Sequence, residues 1–235
     1  MMRAQRVLAQ GQWELRSIFR NGEQVLVSFG LPLLTLIALF TVGLDGLPRG
    51  NDAVAGVLAM AVMSSSFTSQ AIALAFDRRY GVLRMFSTTP LGAGGLLLGK
   101  AGAVVVLLVL QLVVLLGSAL LIGWGGTSLA GLTLASLFML LGAGAFVSIA
   151  VLFGGTMRAQ AVIALANLLW VLMTFAGGAL FPLADGSWLA WLPPGALGDG
   201  MRAALAGSFD WVAALILAAW TVVVGLLAAR SMKWD

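Results

Sequence analysis

Apolar residues in this chain come in long unbroken runs, not in the one-sided stripes of soluble helices. A run needs about 20 residues to cross a bilayer core. Six runs near that length stand out, at 25–44, 53–76, 101–123, 130–153, 161–181 and 211–229. Stretches such as 104–123 do not alternate apolar and polar positions, as a barrel strand would. Within lipid, a helix satisfies its own backbone groups along such a run. The pattern therefore predicts an all-α polytopic membrane protein with six transmembrane helices occupying most of residues 25–235. Pro32 inside the first run predicts a kink there.

The segments between the runs have patterns of their own. In residues 1–24, Val7, Leu8, Leu15, Ile18 and Phe19 can share one helical face, with Gln5, Gln12, Arg16 and Arg20 mostly elsewhere. This predicts an amphipathic helix lying on a membrane surface. It does not read as a signal peptide, which needs an apolar core and a small-residue cleavage site. The connection 77–100 opens with Asp77, Arg78 and Arg79, then Tyr80 and Gly81. A short helical pattern follows (Val82, Leu83, Met85, Phe86), closed by Thr88, Thr89 and Pro90. That helix is expected to present Arg78, Arg79 and Arg84 outward, although charge and length alone favour an ordinary basic loop held at the lipid surface. Segment 177–205 is apolar but interrupted by Gly and Pro, so one straight span is excluded. It predicts broken, partly re-entrant short helices, a form tolerated at membrane depth only under protein cover, with a plain outer loop bearing interfacial aromatics as the other reading.

Composition narrows the function classes. The chain has 235 residues, 61% hydrophobic and 9% charged, with no Cys and no His. A soluble globular chain carries about 25% charged residues. Thiol chemistry, thiolate metal sites and imidazole catalysis are excluded. The near-match Gly94 to Lys100 to a phosphate-binding loop ends in Ala101, which cannot ligate magnesium, and follows no strand. The chain is thus expected neither to hydrolyse ATP nor to be an enzyme by itself.

The net charge of +4 sorts by connection. Eleven basic residues fall at the N-terminus, in 77–100, in 154–160 and in the C-terminal tail, against Arg49 and Arg202 in the other connections. Such asymmetry predicts that both termini are cytoplasmic, so the surplus sets orientation and does not imply nucleic acid as a partner. Asp, Glu, Lys and Arg do not occur inside the six runs, which argues against a proton relay. The second run contains Ser64, Ser65, Ser66, Thr68, Ser69 and Gln70, and the fifth contains Asn167 and Thr174. Ser66, Gln70, Asn167 and Thr174 are candidates to line a path, or else to glue helices together.

Taken together, two segments carry a family resemblance. The order Asp77, Gly81, Thr89, Pro90, Leu91, Gly99, Lys100 resembles the coupling-helix region of ABC type-2 exporter permeases, with Asp77 for the usual Glu and Val82 for the usual Thr. Gly177, Gly178, Phe181, Pro182, Trp188, Leu192, Pro193, Pro194 and Arg202 resemble that family's outer segment before the last span.

The resemblance, which extends to antibiotic, drug and polysaccharide exporter permeases, implies a membrane subunit of the bacterial inner membrane. It would be driven by two copies of a separate cytoplasmic ATPase that hold ATP and magnesium, with no cofactor on this chain. A second permease subunit, identical or related, would complete the path, and membrane lipid would surround it. Asp77, Arg78, Arg79, Tyr80, Gly81, Arg84, Thr89 and Pro90 would couple to the ATPase, with Trp13, Arg16 and Arg20 on the interface helix. A hydrophobic or amphipathic cargo (drug, lipid or lipid-linked compound) is expected. An ion-coupled secondary transporter and a membrane scaffold are the other readings the residues leave open.

Overall fold

The structure, a computed structural model, describes residues 3–42, 46–89 and 92–231. It is all-α, with no strand among the described residues. Four helices are long and apolar enough to cross a membrane: Gly50–Arg79, Gly94–Leu121, Leu129–Thr156 and Trp211–Ser231. Two shorter apolar helices, Leu26–Thr41 and Ala159–Phe175, accompany them.

Helix α1 (Arg3–Arg20) is followed by a continuous helical stretch. This stretch, helix 1, consists of α2 (Gly22–Val25), a π-helical turn at Leu26–Gly30 and α3 (Leu31–Thr41). Helix 2 has the same plan: α4 (Gly50–Met63), a π turn at Ser64–Thr68 and α5 (Ser69–Arg79). In each π turn a backbone N–H reaches five residues back, Leu31 to Leu26 and Ser69 to Ser64. The expected kink at Pro32 therefore takes the form of a widened turn just before it.

Helix 2 is the centre of the molecule, with 83% of its apolar window buried, against 22% for the last helix. Small residues make this burial possible, because Ala53, Ala55, Ala59 and Ala61 let neighbours approach its backbone closely. Around it stand α7 (Gly92–Leu121), α8 (Leu129–Thr156) and α9 (Ala159–Phe175), and α11 (Trp211–Ser231) packs on α8. The coupling segment forms α6 (Val82–Ser87).

The fifth apolar run does not stay helical to residue 181. Helix α9 ends at Phe175, and Gly177 and Gly178 follow in irregular backbone. A single 3-10 turn (Trp188–Trp191) then leads into α10 (Pro193–Leu205), a short helix buried along most of its length against α4, α8 and α11.

Glycines explain how irregular backbone fits inside the bundle. A Cβ on Gly56 would lie 2.8 Å from the Leu180 carbonyl, and one on Gly198 would lie 2.2 Å from that of Gly178. Segment 178–180 is thus pressed between α4 and α10, and Gly178 itself has φ +90°. Its carbonyls take donors from Arg202, whose Nη2 donates to Gly178 O at 2.8 Å and Nη1 to Ala179 O at 3.3 Å. Asp199 balances the guanidinium at 2.8 Å. At the far end of α10, Thr127 Oγ1 and Asn51 Nδ2 donate to Leu205 O, and Trp124 Nε1 donates to Asn51. The irregular backbone is thereby paired with protein, as an apolar interior demands.

Candidate functional site

The densest polar cluster lies where α1 crosses the start of α7 beside the end of α5. Lys100 is 7% exposed. Its Nζ lies 2.8 Å from Asp77 Oδ2 and 3.0 Å from Glu14 Oε1. Gln10 Nε2 donates to the same Glu14 oxygen at 3.0 Å. Residues 10, 14 and 18 recur at four-residue spacing, so Gln10, Glu14 and Ile18 form the buried edge of α1. The helices can approach because both contribute glycine: a Cβ on Gly99 would lie 2.6 Å from Gln10 Cγ, and one on Gly11 would lie 3.3 Å from Gly99 O.

Helix α1 (Arg3–Arg20) lies within the segment expected to be amphipathic. Its buried edge is partly polar and faces protein, whereas Leu8 and Phe19 are exposed, at 68% and 48%. Trp13, Arg16 and Arg20 lie on the exposed surface and, with Ser17 and Asn21, line a shallow groove.

Asp77, Arg78 and Arg79 are adjacent in sequence but have different surroundings. Asp77 binds Lys100. Arg78 is half-buried, and its guanidinium donates to Gly155 O and Met157 O at the end of α8. The expectation that Arg78 faces outward is corrected on this point: a helix C-terminus presents unpaired carbonyls, and a guanidinium fork satisfies two at once. Arg79 is exposed and sits over the Tyr80 ring at 5.8 Å, while Tyr80 stacks on Phe76 at 5.9 Å. Gly81 (φ +70°) then turns the chain into α6.

Leu83 anchors α6 in a small apolar cluster with Leu74 and Leu96, leaving Arg84 and Met85 exposed. Thr88 Oγ1 donates to Met85 O at 2.8 Å, and Thr89 is half-buried. Pro90 and Leu91 lie outside the described residues.

The candidate path residues do not form one lining. Ser66 and Thr174 are fully buried, and Gln70 is nearly so. Gln70 Nε2 reaches Ser65 O at 3.5 Å. Asn167 is exposed on the outer side of α9. Gln70 also borders a small apolar cavity with Leu74, Lys100, Ala101, Val104, Val147 and Val151, between α7 and the α5–α8 pair. In the outer segment, Gly177 and Gly178 are buried, whereas Phe181 and Pro182 are more open.

Residues that pattern reading passed over complete the picture. Glu14 and Lys100 are joined by the fold alone, and no local signal links them. Gln111 carried a signal, as the one polar residue in the run 103–116. It is fully buried, and its Nε2 donates to Ser28 O at 2.8 Å while its Oε1 accepts from Ser65 Oγ at 3.2 Å.

Through Lys100, Glu14 and Asp77 this arrangement joins three helices, α1, α5 and α7. No curated protein gives a significant match to the chain. The ABC-2 type transporter family model matches residues 5–204, a stretch running from α1 to the end of α10 that takes in the junction and the outer segment alike, and the chain belongs to that family of membrane permeases.

Proposed function

We propose that this chain is the membrane-spanning half of an ATP-driven exporter, coupled to a separate cytoplasmic ATPase through α6 and α1. In this reading the chain crosses the bacterial inner membrane six times, the two shorter apolar helices included, with both termini in the cytoplasm. Two ATPase subunits hold ATP and magnesium, and two permease subunits meet around the path. The cargo is a hydrophobic or amphipathic molecule, since the buried polar groups available to a path (Ser66, Gln70, Thr174) carry no charge.

The observation that carries the reading is the Glu14–Lys100–Asp77 junction. It makes α1, the end of α5 and the start of α7 one body. The outer side of that body bears exposed Arg79, Tyr80, Arg84 and Met85, with Trp13 exposed on α1. Arginine, aromatic and methionine side chains are the types that protein interfaces favour. A push on this surface is transmitted to three helices at once, which suits rigid-body switching.

The test is affinity purification of tagged chain from its native membrane in mild detergent. A P-loop ATPase is expected to co-purify, and Arg79→Glu with Arg84→Glu should abolish its recovery while leaving the permease monodisperse. Active transport by the purified chain alone, with no ATPase present, would overturn the proposal.

A further inference from the structure

Pro32 has no N–H, so it leaves without an internal donor the carbonyl four residues back, and the one five residues back that a π turn would use. Those carbonyls belong to Ser28 and Val27. Both are satisfied from other helices: Gln111 Nε2 of α7 donates to Ser28 O at 2.8 Å, and Ser64 Oγ of helix 2 donates to Val27 O at 3.1 Å. Ser65 Oγ, one residue on, reaches the same Gln111 at 3.2 Å while sharing its proton with Ala61 O at 2.9 Å. The two π turns therefore face each other, and the backbone of helix 1 is completed by side chains it does not own.

A proline-broken turn is where a helix bends most readily, because internal hydrogen bonds are missing there. Here two side chains from other helices replace them. Close by are hydroxyls able to take new partners during a bend. Ser28 Oγ, Ser66 Oγ and Thr68 Oγ1 are buried in the same two turns without a hydrogen-bond partner among the described residues. Beyond the turn, α1 is held to α7 by the Lys100–Glu14 pair and the Gly11–Gly99 crossing. Movement of the α1 end of helix 1 is thereby tied to movement of α7.

We infer that helix 1 pivots at the turn before Pro32, and that Gln111 is the pin that sets its angle. This is a property of the chain alone. It goes beyond the proposed coupling to an ATPase and holds or fails independently of it.

The chain has no cysteine, so spin labels can be placed on introduced pairs without background. Labels at Gln12 and Ser231 span the pivot, and labels at Leu121 and Ser208 report the opposite end. Distances are read by pulsed electron resonance on the full chain in lipid nanodiscs. Gln111→Leu should broaden or split the 12–231 distribution and leave 121–208 single. Ser65→Ala, which removes half of the pin's contacts and is the gentler variant, should broaden it less.

The decisive arm is Pro32→Ala combined with Gln111→Leu. Alanine restores the backbone N–H that Gln111 had replaced, so the 12–231 distribution should narrow again. The inference is overturned if the distributions of Gln111→Leu and Ser65→Ala both match the unsubstituted chain. It is also overturned if both label pairs broaden equally, or if Pro32→Ala fails to restore the narrow peak.

Discussion

Asp77, in the last turn of helix 2, and Lys100 of α7 meet as an ion pair at 2.8 Å with Glu14 of α1 closing the other side at 3.0 Å. Removing the ammonium leaves two carboxylates side by side in a mostly buried site. Breaking a buried pair by deleting one partner costs about 3–5 kcal/mol, whereas replacing every member by uncharged groups is often near neutral. Lys100→Met should therefore markedly lower the apparent melting temperature in detergent, followed by tryptophan fluorescence. The triple variant Glu14→Gln, Asp77→Asn, Lys100→Met should recover most of the loss. Equal destabilisation by the single and triple variants would show that the lysine stem matters and its charge does not.

Gly99 is the contact point at which α1 rests on α7. A side chain there would lie 2.6 Å from Gln10 Cγ, with the Gly11 backbone N 3.4 Å away. Gly99→Val should lift α1 off while the rest of the bundle stays folded, because α1 packs mainly on α7 and adds little to the main core. Limited trypsinolysis in nanodiscs reads this directly, as faster cleavage after Arg16 and Arg20 with unchanged protection of the fragment beginning at α3. Cleavage as slow as in the unsubstituted chain would place the docking contact elsewhere on α1.

Arg202 holds the irregular backbone of the outer segment through two carbonyls and is balanced by Asp199. Lysine carries the same charge but lacks the planar fork that reaches two acceptors. Arg202→Lys should therefore cost about 1–3 kcal/mol by orphaning one buried carbonyl, and Arg202→Met should cost more. Hydrogen exchange at residues 177–181 should rise in both variants. Protection equal to that of the unsubstituted chain would mean that the glycine contacts of Gly56 and Gly198 suffice to hold the segment.

The runs that became α7, α8 and α11 were legible because each keeps a large lipid-facing surface, so apolar length alone marks it. The fifth apolar run outlasts its helix because Leu180 and Phe181 are as apolar as a span residue, yet Gly177 and Gly178 turn the chain back into the bundle. Helix 2 continues to Arg79, past the end of its apolar run, since Asp77 and Arg78 find protein partners on Lys100 and on the end of α8. Composition could not separate Arg78 from Arg79. Pro32 announced an irregularity, but the donors that complete it come from two helices distant in sequence, and local spacing carries no record of them.

The contrast between Arg78 and Arg79 gives the sharpest single-residue comparison. Arg78 satisfies carbonyls of Gly155 and Met157 at the end of α8, while Arg79 is exposed and touches the Tyr80 ring. Leaving a buried acceptor unpaired costs about 1–3 kcal/mol, whereas an exposed substitution away from such features stays within about 0.5 kcal/mol. Arg78→Gln should thus raise hydrogen exchange over residues 152–157 and lower the melting temperature. Arg79→Gln should leave both unchanged, and if the ATPase docks on this surface it should weaken recovery of that partner. The opposite ranking, with Arg79 needed for stability and Arg78 dispensable, would contradict the capping role given to Arg78.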